Sequence, residues 1–206
     1  APFIDAQALL ARGDEMKGVL VRGIAPELES EVSDVVNERS RLVFQGLREG
    51  EFGIVLGVDL AKRLGVQMGD TVTLIAPNGQ VTPAGITPRL KQMRVIGTFN
   101  SGHYEYDANL AMMHLVDAAK MFRLEGASGI RVKLRDLHQA VQVGDELSQA
   151  LSTKARASSA ALGDGWGELY VRDWTKQNRT WFAAVQVEKT MMFIILTLIV
   201  AVAAFN

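Results

Sequence analysis

The stretch GHYEYD, Gly102 to Asp107, brings one imidazole and two carboxylates within six residues. On a strand, His103, Glu105 and Asp107 would share one face. That set matches the ligands of a divalent metal that activates water, which would make the chain a metal-dependent hydrolase. Asn100 and Gly102 argue instead for a turn-rich loop, with Tyr104 and Tyr106 as its anchors and the acids in water. His114 sits in the apolar run NLAMMHL and reads as a packed core histidine. His138 has no partner nearby in sequence. GxSxG, HExxH and Walker A patterns are absent, so P-loop nucleotide chemistry does not belong to this chain. With no cysteine, disulfides and thiolate metal sites are excluded as well. The expectation is a non-enzymatic chain with no catalytic residue, no metal and no cofactor.

The elements around these residues follow from pattern and punctuation. LLARGDEMKGVLVRGI, within residues 3–24, reads as two strands around a turn at Gly13-Asp14. Pro26 suits a first helical turn, and Leu28, Val32, Val35 and Val36 give that helix an apolar face. IVLG, Ile54–Gly57, is a short buried strand. VDLAKRL, Val58–Leu64, is a helix stopped by Gly65. A turn at Gly69-Asp70 leads into a strand from Thr71 to Ala76, and Met93–Phe99 and Asn109–Leu115 read as further strands. Val116–Leu124 is helical, Gly129–Leu134 alternates as a strand, and Leu137–Leu151 is a helix weakened by Gly144. Ser152–Gly167 is small and polar and reads as a loop. ELYVRDW is a last strand, and helix resumes after it. Strands and helices mix without strict alternation, so the fold class is α+β. The expected division has 1–45 and 116–187 forming one discontinuous α/β subdomain, with 46–115 inserted as a β-rich subdomain.

Between two of these strands lies APNGQVTPAGITPR, with Pro77, Pro83 and Pro88 framing Gly79 and Gly85. A hairpin needs only two to five turn residues. Three missing backbone donors argue against a continuous strand, and the residues before each proline are poor in helix. The expectation is a stiff extended arm turned at Asn78-Gly79 and Ala84-Gly85. Small apolar groups at Val81, Pro83, Ala84 and Ile86 suit insertion into a groove or beside a sheet edge. Arg89, Lys91 and Arg94 follow the arm, and Arg172, Lys176 and Arg179 form a second loose basic group. A solubilising face is the ordinary reading of each.

Met191 to Phe205 is apolar apart from Thr197. A full span needs about 20 apolar residues. The run continues almost to the last residue, and Glu188 and Lys189 stand where charged groups meet headgroups. It reads as the start of a transmembrane helix over 188–206 in a piece of a longer membrane protein. The net charge of −1 gives no reason to expect nucleic acid.

LGVQMGDTVTLIAPNGQVTPAGITPRLKQMRVIGTF and VEKTMMFIILTLIVAVAAFN resemble the permeases of the lipoprotein-releasing (Lol) ABC transporter, in their LolC-like branch, within the larger MacB-like permease group. The resemblance runs over essentially the whole chain. It implies a MacB-like periplasmic core domain between the first two transmembrane helices, in the bacterial inner membrane. It also implies that Pro77, Asn78, Gly79, Gln80, Val81, Thr82, Pro83, Ala84, Gly85, Ile86, Thr87 and Pro88 form a hook that captures the LolA-type periplasmic lipoprotein chaperone. Arg89 and Lys91 would belong to a basic pad beside the hook. A second permease subunit, the same or a different chain, and a separate cytoplasmic ATPase subunit are implied partners. The competing reading is a MacB-like efflux or mechanotransmission permease domain that meets a periplasmic adaptor.

Overall fold

The computed structural model describes residues 1–33, 35, 38–82, 85–162, 170–177 and 179–205. The chain divides into two units, Ala1–Lys133 and Leu134–Asn206.

The first unit is built on one mixed sheet. Strand β1 (Pro2–Arg12) turns at Gly13, where φ is +57°, into β2 (Glu15–Ile24), and the two pair antiparallel along their whole length. Helix α1 (Pro26–Val32) begins at its proline as expected, because the missing N–H falls where helices leave donors unpaired. It ends sooner than the apolar spacing suggests. Val35 lies beyond it and Val36 is outside the described residues. Helix α2 (Glu38–Gln45) precedes β3 (Gly53–Gly57), a fully buried strand, and α3 (Val58–Leu64) follows at once. Gly65 closes α3 in the left-handed region (φ +61°), which costs glycine no Cβ clash. Then come β4 (Thr71–Thr82), β5 (Gly85–Phe99), α4 (Tyr104–Asn109), β6 (Leu110–His114), α5 (Leu115–Phe122) and β7 (Gly129–Ile130).

Among the described residues the strand order is β2-β6-β3-β5-β4-β1-β7, and the β1–β2 pairing closes it on itself. Six strands thus form a closed ring, with β7 added at the edge of β1. Ile4, Leu10, Val21, Leu56, Leu74, Met93, Val95 and Met113 fill one core with Leu60 and Leu64 of α3 and Ala118 and Met121 of α5. A second cluster lies under α2, where Phe44 meets Phe99 with ring centroids 6.0 Å apart, beside Leu47, Val55, Leu110 and Met112. Two close approaches depend on glycine. A Cβ on Gly23 would lie 2.5 Å from the Ala118 Cβ, and one on Gly57 would lie 2.3 Å from the Asp107 carbonyl oxygen.

The ring does not follow the expected division at 45 and 115. β1 and β2 pair directly with β4 and β6, so 46–115 has no sheet of its own. A pattern read along the chain gives strands but not their neighbours, and here the first hairpin supplies the partners that close the sheet. The strand expected over 129–134 is confined to Gly129–Ile130, paired with Phe3 and Pro2.

In the second unit a 3-10 turn (Leu137–Gln139) leads into α6 (Ala140–Leu162), followed by α7 (Trp174–Gln177) and α8 (Arg179–Phe205). The loop expected from 152 is helix as far as Leu162. Its polarity suggested a loop, but Ala155, Ala157, Ala160 and Ala161 are strong helix formers and no glycine intervenes before Gly163. Residues 163–167 are outside the described residues. The strand expected in ELYVRDW is not found over 170–173, and Trp174 starts a helix. Helix α8 carries a segment long and apolar enough to cross a membrane, Ala183–Phe205, with mean hydropathy 2.0, its charged Glu188 and Lys189 near one end. At 1.5 Å per residue it is about 34 Å long, enough for a hydrocarbon layer of about 30 Å. Its hydroxyls satisfy themselves along the helix: Thr190 donates to the Gln186 carbonyl at 2.9 Å and Thr197 to that of Phe193 at 2.8 Å.

Candidate partner-binding site

Strands β4 and β5 are antiparallel, from Thr71↔Arg94 to Ala76↔Arg89 and again from Gln80↔Thr87 to Thr82↔Gly85. The lateral support stops early. β4 pairs with β1 only at Thr73, Leu74 and Ile75. β5 pairs with β3 only from Arg94 to Phe99. Beyond Ala76 and Arg89 the hairpin therefore continues as a two-stranded ribbon, with no third strand among the described residues. Six residues of β4, Pro77–Thr82, lie in it, a reach of about 20 Å at about 3.4 Å per residue.

This corrects the expectation of an arm outside the sheet ladder. The prolines sit where the ladder tolerates them. The register shifts between Ala76 and Gln80, so Pro77 falls in the irregularity, and Pro88 lies between Thr87 and Arg89 on the opposite strand. Pro83 and Ala84 lie outside the described residues. Asn78, Gly79, Gln80, Val81, Thr82, Gly85, Ile86, Thr87 and Pro88 complete the ribbon. Pro77, Thr87 and Pro88 are exposed. Pro77 also lines a cleft of about 360 Å³ with Gln7, Phe122, Leu124 and Ser128.

At the ribbon's base the core-facing side of the strands becomes charged. Met93 is opposite Val72, Lys91 opposite Leu74 and Arg89 opposite Ala76, so Arg89 and Lys91 continue the row of buried Val95 and Met93. Leu90, between them, faces the other way and is 64% exposed. Arg89 donates from Nη1 to the Met121 carbonyl at 3.3 Å. That carbonyl is in the last turn of α5, where backbone acceptors lack intrahelical donors, so Arg89 caps the helix. Lys91 Nζ lies 4.0 Å from the centroid of the Phe52 ring, a cation–π contact. Lys120 of α5 pairs with Glu49 at 3.5 Å. Phe52, Arg89, Leu90, Lys91, Lys120 and Met121 together line a cleft of about 240 Å³ that mixes apolar and cationic side chains.

Sequence reasoning singled out the proline stretch and the cations Arg89 and Lys91, but not Phe52, Asp117, Lys120 and Met121, which the fold brings beside those cations. The signal was faint. Asp117 is an acid at the start of an apolar helix, and EGEFG looks like an ordinary turn. Only the fold shows that the buried Asp117 carboxylate accepts the Gly50 N–H at 2.8 Å and the Phe52 N–H at 3.0 Å.

The other chemistry-bearing residues are occupied differently. GHYEYD forms no strand: Gly102 and His103 lie in irregular chain, as Asn100 and Gly102 suggested, α4 covers Tyr104–Asn109, and the one-sided tripod needs a strand that does not form. Asp107 is buried and accepts from the Ser101 N–H at 2.8 Å and its hydroxyl at 2.9 Å, while Glu105 points to solvent. His103 precedes the helix with its ring edge-on to Tyr106. His114 is the N-cap of α5, its Nδ1 accepting from Val116 N–H at 3.3 Å, and is only half-buried. His138 and Arg172 are exposed, as is Arg94. The side chains of Lys176 and Arg179 are outside the described residues. A charge cluster not anticipated from sequence lies across β1 and β2. Arg22 takes both Asp5 oxygens at 2.6 and 2.8 Å, and Arg131 holds the fully buried Glu29 at 2.6 Å. Burial works to lower the Arg22 pKa, but the hydrogen bonds and charge of Asp5, with the charge of Glu29, raise it above its ordinary value.

Comparison with known proteins places this geometry among relatives. The MacB-like periplasmic core domain matches residues 1–150. The chain is 46% identical over 207 residues to the lipoprotein-releasing system transmembrane protein LolC of Neisseria meningitidis serogroup B, covering 100% of this chain and 47% of that protein. It is 36% identical over 206 residues to the LolC of Xylella fastidiosa strain Temecula1, covering 100% and 46%. It is 26% identical over 207 residues to the lipoprotein-releasing system transmembrane protein LolE of Haemophilus influenzae, covering 100% and 46%. The chain thus spans about half the length of the curated relatives it matches.

Proposed function

The chain belongs to the MacB-like periplasmic core domain family, and from that premise we propose that it is the periplasmic recruitment domain of an inner-membrane permease of the lipoprotein-releasing system. In this reading the ribbon Pro77–Pro88 captures a LolA-type periplasmic chaperone, and the permease passes lipoproteins to it. Arg89 and Lys91 steer the chaperone to the ribbon. The chain itself does no chemistry; ATP is hydrolysed by a separate cytoplasmic subunit. Likeness to both LolC and LolE relatives supports pairing with a second permease chain, of the same or a different sequence. Helix α8 supports a domain held at the membrane.

The observation that carries the reading is the unsupported ribbon. A two-stranded hairpin standing alone is marginal in water, so its retention beyond the ring asks for a partner. A ribbon anchored at its base on a closed sheet loses less freedom on docking than a loose loop of equal length. The test is titration of the chaperone into the wild type and into a variant with Val81, Pro83 and Ile86 all changed to Asp. An uncompensated carboxylate forced into an apolar interface is heavily penalised, so binding should be lost. Unchanged binding by that variant contradicts the proposal. Binding to a periplasmic adaptor but not to the chaperone assigns the domain to the efflux or mechanotransmission type.

A further inference from the structure

We propose that Phe52 and Asp117 are positioning residues of the basic pad: Asp117 holds the 49–52 turn so that the Phe52 ring lies beneath Lys91 and fixes where its ammonium meets the partner. This rests on the pad reading above and names residues that neither ribbon nor pad includes.

A lysine on a strand carries its charge on a flexible four-carbon stem. Lys91 is exposed, yet its Nζ is 4.0 Å from the Phe52 centroid. Phe52 carries that ring in the left-handed region, at φ +50°, which is uncommon for a bulky side chain and needs surrounding structure to hold it. The holding group is Asp117. It is fully buried, and its two oxygens take the Gly50 and Phe52 N–H groups. One turn further along α5, Lys120 pairs with Glu49 of the same turn. Next to it, the Met121 carbonyl takes Arg89. Asp117 and Lys120 of α5 thus hold the turn that carries the ring, and Met121 holds the pad's other cation. A simple backbone staple would need Asp117 but would leave the ring's place indifferent. Here the ring lines the cleft with Met121, beside the cations. The arrangement suits an acidic side chain with an apolar neighbour: the carboxylate meets Lys91 while the apolar group rests on Phe52.

The test uses the full 206-residue chain in detergent and the purified LolA-type chaperone, with association rates from stopped flow at low salt. Phe52→Leu keeps an apolar side chain but removes the ring's quadrupole, and should slow association about 2- to 5-fold. Lys91→Met should slow it at least as much, and the double variant no more than Lys91→Met alone, because Phe52 acts through Lys91. Phe52→Tyr should restore the wild-type rate. In the isolated chain the Lys91 ε-methylene protons should be shifted upfield by the ring, and the shift should vanish in Phe52→Leu and in Asp117→Asn. Losses that multiply in the double variant, or a ring shift that survives Asp117→Asn, overturn the inference. The triple-Asp ribbon variant separates the two levels. If it loses binding while the Phe52 and Lys91 losses multiply, the positioning role fails and the recruitment reading stands. If it binds normally, the recruitment reading fails and the pad role falls with it.

Discussion

Reversing Arg89 and Lys91 one at a time should give two different phenotypes, because the structure gives them different neighbours. Arg89 donates to the Met121 carbonyl at 3.3 Å in the last turn of α5. Arg89→Glu removes that hydrogen bond and sets a carboxylate against the negative end of the helix. A hydrogen bond from a charged donor contributes about 1.5–3 kcal/mol at full strength, and this long, half-exposed one about 1. An anion at a helix C-terminus costs about 0.3–1 kcal/mol more. The sum is about 1–2 kcal/mol, which for a domain of this size lowers Tm by about 3–8 °C. Lys91 gives up a cation–π contact at an exposed site, about 0.5–1 kcal/mol, so Lys91→Glu should lower Tm by no more than about 4 °C. Both should slow chaperone association at low salt, and the difference from wild type should shrink as ionic strength rises. Arg89→Lys keeps the charge and should associate nearly normally. Thermal melts and stopped-flow association across a salt series read both effects. An Arg89→Glu variant that melts with the wild type refutes the helix cap. Association indifferent to both reversals and to salt refutes the pad.

Two further outcomes follow from the architecture. Deleting residues after Glu188 removes most of the apolar stretch of α8, and the remaining chain should stay folded and soluble without detergent, as judged by circular dichroism and gel filtration; unfolding would mean that this segment is core. Gly57→Ala should destabilise by about 1–3 kcal/mol or more, because its Cβ would lie 2.3 Å from a backbone oxygen in a filled core, and a melt equal to wild type would contradict that packing.

Much of the first unit was legible because its boundaries are local. Gly13-Asp14, Pro26, Gly65 and Gly69-Asp70 each mark a turn or cap through the conformation of a single residue, and the structure puts turns and helix ends there. The apolar α8 was legible from composition alone. What the sequence withheld depends on partners distant along the chain. The closed ring needs β1 beside β4, and no pattern within 2–24 announces that. The proline stretch was recognised as special but misjudged as off the ladder. Three prolines in one strand would be ruinous, but two of them fall at a register shift, where the missing donors are not needed. Arg89 and Lys91 were visible as cations. Their distinct tasks were not, since Met121 and Phe52 come to them only through α5 and the turn that Asp117 holds.

A ribbon that serves as a capture device beyond Ala76 and Arg89 is dispensable to the domain's own structure. Because Ala76 and Arg89 are paired, Pro77–Pro88 can be replaced by Asn-Gly, which closes a two-residue hairpin at that pair. The decisive measurement is calorimetric titration of the LolA-type chaperone into this shortened chain and into the wild type, with a melt of each. Binding should disappear while Tm stays within a few degrees. Chaperone binding that survives removal of the ribbon would contradict the capture role.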